Sequence, residues 1–349
     1  MRVPRFYLAA SRLLLLPLLS STAPLLAAQS TSPEELVSQG LDWLASQQHR
    51  LGHWNAQGRY PAAMTALSGI ALMCEGSTPT QGKYAPQLRR AVDYLIRQAR
   101  PNGLIGDPLR DDRYTYGHGF SMLFLSQVLG EEEDLQRRDE LIRVLSKAVE
   151  FTGAAQTAAG GWGYVSATEK AGFDEGSTTI TQVQGLRGCR NAGIRVPKVV
   201  IDKAVEYIHN CTQKDGGVQY SSKGGGGRAP ITAAAIACLY NAGEYDDQYV
   251  PRMKLYCRRH LEVGNQSNYS HWHYAHFYYS QVKYREGGEA WDEYKKAIAA
   301  KLMREASPAN TPEGPGVYWE QGYISNVYIT ALNLIILQQD KAMLPIYQR

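Results

Sequence analysis

The sequence predicts an all-α protein, an (α/α)6 toroid in which six helical hairpins close into a double ring. Three observations lead there. A hairpin-sized pattern recurs six times along the 349 residues. In each copy the first segment is amphipathic and the second is apolar almost all round. The final segment, 327–337, is as apolar as the interior ones, where an open solenoid needs a polar cap.

The first copy pairs 41–48 with 65–76 across Gly52-His-Trp54. The second pairs 92–98 with 116–130 across Asn102-Gly-Leu104, and the third joins 149–156 to 177–193 through Gly160-Gly-Trp-Gly-Tyr164. The fourth joins 205–213 to 229–243 through Asp215-Gly-Gly-Val-Gln-Tyr220. Copies five (250–288) and six (289–339) are more degenerate. An acid in the first segment, Asp42, Asp93, Glu150 or Glu206, recurs at spacings of 51, 57 and 56. Leu88, Ala91, Val92 and Leu95 follow i, i+3, i+4, i+7 and predict an outer helix. The apolar stretches 66–74 and 231–239 predict inner helices covered on every side.

Residues 1–28 read as an export signal: Arg2, Arg5 and Arg12 precede a leucine-rich stretch and then small residues up to Ala28. Pro17 and the following Ser/Thr run break the apolar stretch short of the ~20 residues of a membrane span. The expectation is a periplasmic or secreted protein with one toroid domain, 29–349, and no stable membrane span after signal removal. Removing three arginines from a net charge of +4 leaves +1, which speaks against nucleic acid as a partner. Of the five cysteines, Cys74, Cys189 and Cys238 are expected as small buried hydrophobes, while Cys211 and Cys257 leave a disulfide open.

Gln213-Lys-Asp-Gly-Gly-Val218 resembles the Gln–Trp repeat of squalene-hopene cyclases, as do the Gln-to-Trp spacings of six at Gln48 and Trp54 and at Gln156 and Trp162. The segments 116–120 and 185–193 are similar to inner-helix segments of the prenyltransferase and squalene oxidase repeat superfamily. The resemblance spans about 34–339 and implies the toroid fold, with a lipid-like, possibly isoprenoid, ligand. The chemistry of that superfamily has no carrier here. There is no Asp-x-Asp-Asp, no cysteine with an aspartate two residues before it, and no Cys-Gly-Glu-Gln.

If the inner helices run parallel, their N-termini gather at one electropositive rim, and the residues there are the site candidates. Asp112, His118, Asp174, Glu175 and His273 are the catalytic candidates. Tyr114, Tyr116, Trp162, Tyr164, Tyr220, Arg228, Trp272, His276, Trp319 and Tyr323 are the ligand-binding ones. Copies two and five lie opposite each other, so His118 is expected to face His273 or His276 across the ring. No third ligand completes the histidine pair, so neither metal nor cofactor is expected. Asp174 and Glu175, just before Ser177-Thr-Thr, also suit a helix cap. Three functions fit: an aromatic cavity for a lipid-like or other small molecule, an exported carbohydrate-active enzyme with paired carboxylates on the same toroid, or a non-catalytic scaffold.

Overall fold

The computed structural model describes residues 32–170, 172–264, 271–320 and 324–348. The expected export signal and Tyr323 lie outside them. Hairpins one to three comprise α1 (Pro33–Ser46) with α2 (Pro61–Met73), α3 (Ala85–Arg97) with α4 (Tyr114–Glu131), and α5 (Leu135–Ala155) with α6 (Gly176–Asn191). Hairpins four to six comprise α7 (Lys198–Cys211) with α8 (Ala229–Ala242), α9 (Val250–His260) with α10 (Trp272–Glu286), and α11 (Gly288–Glu305) with α12 (Asn326–Leu337). Each even-numbered helix packs on the next even one, and α12 packs back on α2. That closed inner ring, with odd-numbered helices outside it, is the toroid the repeats predict.

Burial explains the two rings. Every residue of α2 is buried, whereas α3 buries Leu88, Ala91, Val92 and Leu95 and exposes Arg89 and Arg90. Closure has its own contacts. The Gln338 side chain at the end of α12 donates to the Ala71 carbonyl of α2 at 3.2 Å. An antiparallel hairpin, β3 (Ser307–Thr311) with β4 (Gly314–Tyr318), lies on α1. There the Trp43 and Tyr318 rings stack at 4.9 Å.

The turns inside hairpins one, three and six repeat one hydrogen-bonding device. The Trp54 N–H donates to Thr65 Oγ1 at 3.1 Å, and its indole N–H donates to the Leu44 carbonyl at 2.7 Å. Trp162 does the same with Thr179 and Thr152, and Trp319 with Thr330 and Leu302. A large apolar ring is thus buried with its polar edge satisfied. Gln48 and Gln156 tie each turn to the next outer helix, donating to Gln87 O and Val200 O at 2.9 Å. Copy two departs from the expected register. Ile105, not Leu104, stands where copy one has Trp54, and Val218 donates to Thr232 Oγ1 at 2.9 Å. Gln213 instead holds a second hairpin, β1 (Gln219–Ser221) with β2 (Gly224–Gly227), through Gly225 O and Gly227 N.

All five cysteines are free and buried, so Cys211 and Cys257 are not bridged. Burial pushes the Cys74 and Cys189 thiols up to about 12. Among the described residues, no helix is long and apolar enough to cross a membrane.

Candidate functional site at the inner-helix N-termini

One end of the ring is closed. The C-terminal segment 339–348 crosses the C-terminal ends of the inner helices, where Tyr347 is buried and the Ile346 N–H donates to Gln127 Oε1 at 3.4 Å. Above it, Gln184 of α6 donates to Gln281 of α10 at 2.8 Å, and Tyr278 is wholly buried. Chain therefore fills the lower part of the ring. Nearer the N-terminal rim, Tyr116, Tyr274 and Tyr328 keep part of their surface accessible. The site is a mouth rather than a through-hollow.

Glu175 anchors this mouth. It is the N-cap of α6, and its carboxylate accepts from the Ser177 N–H at 2.9 Å and the Thr178 N–H at 2.7 Å. The Ser177 hydroxyl adds a bond of 2.6 Å and the Tyr116 hydroxyl one of 2.8 Å. Four donors and the positive helix end compensate a charge that is fully buried. Burial, and then the charge of Glu175, push the Tyr116 phenol well above its ordinary value. Beside it the Tyr164 and Tyr220 hydroxyls hydrogen-bond to each other. Asp174, adjacent in sequence, accepts from the Ser222 N–H at 2.8 Å and its hydroxyl at 2.6 Å, pinning β1–β2 to the mouth.

The rim brings together Tyr116, Tyr164, Asp174, Glu175, Tyr220 and Arg228, and adds Arg113, Ser177 and Ser222. Other candidates point elsewhere, and helix geometry gives the reason. Residues four apart lie about 40° apart around a helix, and residues two apart about 160°. Tyr116 faces the mouth, so Tyr114 and His118 face the outer ring. The Tyr114 hydroxyl accepts from the Ser166 N–H at 2.7 Å. His118 is buried against α5, accepting from the Ile105 N–H at 3.1 Å, with its other ring nitrogen 3.0 Å from Thr152 Oγ1. It does not look across the ring at His273 or His276. Burial lowers its pKa to about 4.

Trp272 and His276 likewise turn outward. Their rings lie 4.1 Å apart, and His276 Nδ1 is 3.0 Å from the Tyr294 hydroxyl of α11. His273 meets Asn333 of α12 at 2.8 Å. Trp162 and Trp319 are buried in the turns described above. Asp112 is exposed, paired with Arg59 at 2.7 Å and accepting from the Tyr60 hydroxyl at 2.9 Å. These bonds outweigh its partial burial and hold its carboxyl below the ordinary range. Its neighbour Asp111 is 1% exposed, and burial raises it to about 7. The backbone of Asp107 and Tyr60 favours its charged form, but at a geometry too poor for a full hydrogen bond. Among the described residues, no three His, Cys, Asp or Glu side chains converge as a metal site.

No protein-family model matches the sequence, and no curated protein sequence matches it. Its fold has close counterparts among solved structures. An inactive variant of an α-1,6-mannanase from Salegentibacter sp. HEL1_6, in complex with α-1,6-mannotriose, superposes with a TM-score of 0.61. It is 8% identical and covers 89% of this chain and 100% of the mannanase. A D-mannose isomerase matches at 0.58 and 10% identity, over 88% and 97% of the two chains. A type II terpene cyclase from Scytonema is 14% identical over 89% and 98%, but its TM-score of 0.33 is too low to bear on the squalene-cyclase resemblance. The chain is an α/α toroid similar in fold to these sugar-directed proteins.

Proposed function

We propose that the ring binds a carbohydrate at the mouth formed by Tyr116, Tyr164, Glu175, Ser177 and Tyr220, and that the protein acts after export. One observation carries the reading. Partly accessible phenol rings converge on a single opening, with the Tyr116 hydroxyl held from behind by the buried Glu175 carboxylate. Aromatic faces match the C–H surface of a sugar, and phenol hydroxyls match its hydroxyls. An isoprenoid calls for an unbroken apolar lining, whereas Tyr116, Tyr164 and Tyr220 bring hydroxyls to this one. The fold shared with a mannanase and a mannose isomerase supports the same ligand class.

The proposal stops at binding. The mannanase is described as inactive when two consecutive aspartates are replaced, and this chain has Asp111 and Asp112 at its rim. Their environments push their proton affinities apart, as an acid and its partner base require. Asp111, however, is buried beside Asp107 and Tyr94 and does not present its carboxyl to the mouth. Titration calorimetry with a panel of oligosaccharides that includes α-1,6-mannotriose, alongside geranylgeraniol, tests the reading. A saccharide is expected to bind, and the double substitution Tyr164→Ala, Tyr220→Ala is expected to weaken it at least about tenfold without unfolding the ring. Binding of geranylgeraniol alone would overturn it.

A further inference from the structure

Two guanidinium groups bracket the mouth. Arg113, the residue before α4, lies 4.3 Å from the centroid of the Tyr164 ring, and Arg228, the residue before α8, lies 4.5 Å from that of Tyr220. The two phenols bond to each other through their hydroxyls, so two linked rings each carry a cation. Both arginines are exposed, and among the described residues neither makes an ion pair or a side-chain hydrogen bond. The nearby acids are already engaged: Asp112 by Arg59 and Tyr60, Asp174 by Ser222, and Glu175 by its four donors. Both guanidinium charges are also felt at the start of α10. After burial, the charges of Arg228 and Arg113 are what lower the proton affinity of His271 at the start of α10.

A guanidinium outside any ion pair, held over an aromatic face, keeps its outer N–H fork free for a planar or tetrahedral anion. Two of them on linked rings select charge as well as ring shape. We propose that the mouth reads an anionic saccharide, one whose ring lies on Tyr164 and Tyr220 while Arg113 and Arg228 hold its uronate carboxylate or sulfate ester. This rests on the carbohydrate reading above and narrows it to acidic sugars.

The test compares tri-galacturonate, its fully methyl-esterified counterpart, a galactose-sulfate trisaccharide and inorganic sulfate by titration calorimetry. The probes run against the full chain and against Arg113→Gln, Arg228→Gln and the two Arg→Lys variants. An acidic trisaccharide is expected to bind at least about tenfold more tightly than the methyl ester. Each Arg→Gln change is expected to cost it roughly ten- to hundredfold and leave the ester within about twofold, with Arg→Lys intermediate. The carboxylate and sulfate probes tell which anion is preferred. Equal binding of acid and ester, or equal losses for both in the glutamine variants, would overturn the anion reading and leave the carbohydrate reading standing. Inorganic sulfate binding as tightly as the trisaccharides would overturn it as a sugar site. Failure of every saccharide would remove the carbohydrate reading itself. Urea midpoints of the variants, expected to match the parent because both side chains are exposed, separate lost binding from lost folding.

Discussion

His118 stands where copies one, three, four and six place Thr65, Thr179, Thr232 and Thr330, accepting a backbone N–H from the turn. Its imidazole must stay neutral to accept that bond, and burial enforces this by lowering the pKa to about 4 from an ordinary value near 6.5. The unfolded chain binds the proton more readily. Stability from His118 is therefore complete above about pH 6.5 and is lost as the pH falls toward 4. Threonine is the natural replacement. His118→Thr is expected to cost about 1–3 kcal/mol at pH 7.5, because the ring's packing on Phe151 is lost. Between pH 6.5 and 4.5 that gap is expected to shrink by roughly 2–3 kcal/mol, since a unit of pKa shift is worth about 1.4 kcal/mol. Urea midpoints of both proteins at the two pH values give the answer, and a gap independent of pH would rule out the neutral-acceptor role. Asp111, raised to about 7, works in the opposite direction but is common to both proteins and cancels.

At the scale of the element, the turn glycine sets the frame. Gly160 has φ +94°, and a Cβ there would lie 2.2 Å from the Lys203 carbonyl of the next outer helix. Gly160→Ala is expected to cost at least about 2 kcal/mol, combining a left-handed penalty with a backbone collision. Gly193→Ala, at φ +84° with nothing within 4 Å, is expected to cost only about 1 kcal/mol. Equal urea midpoints for the two variants would mean that the helix contact does not matter. The same glycine shows where the sequence was legible. Hairpin count, inner and outer assignment and closure all follow from apolar periodicity. The turn register, counted from Gln98 or Gln213, slips by one. Counted from Gly52, Gly103, Gly160 and Gly216, it puts Trp54, Ile105, Trp162 and Val218 two residues on in each of the first four copies. Position at or before the start of an inner helix suggested Tyr116, Tyr164, Glu175, Tyr220 and Arg228, and these residues gather at one rim. It gave height along the ring but not direction around each helix, so Tyr114, His118, Trp272 and His276 were included although they face outward. Arg113 escaped notice because a lone arginine before a helix has no signature until its aromatic partner, Tyr164, folds against it from the next copy.

For the whole molecule, closure has a consequence that an open stack would not share. The first and last helices are neighbours: α1 packs in the groove of α12 and α2, and its N-terminal Glu34 lies within electrostatic reach of Lys341. In a ring every hairpin has two neighbours, so none is a cap and removing one exposes apolar faces on both sides of the gap. Where the chain begins is then incidental to stability. A permuted protein that links residue 348 to residue 32 by a flexible segment long enough to cross the closed end, and opens in the 192–197 connector between α6 and α7, keeps every inter-helix contact. It is expected to unfold in one cooperative step, with a urea midpoint close to that of the parent. Deleting 288–338, which removes α11, β3, β4 and α12, is expected to abolish that step, because α2 and α10 lose the α12 surface that both bury. An open superhelix would respond the other way. Loss of a terminal repeat would subtract one increment of stability and leave the remainder folded, so a well-folded deletion protein would argue against the ring.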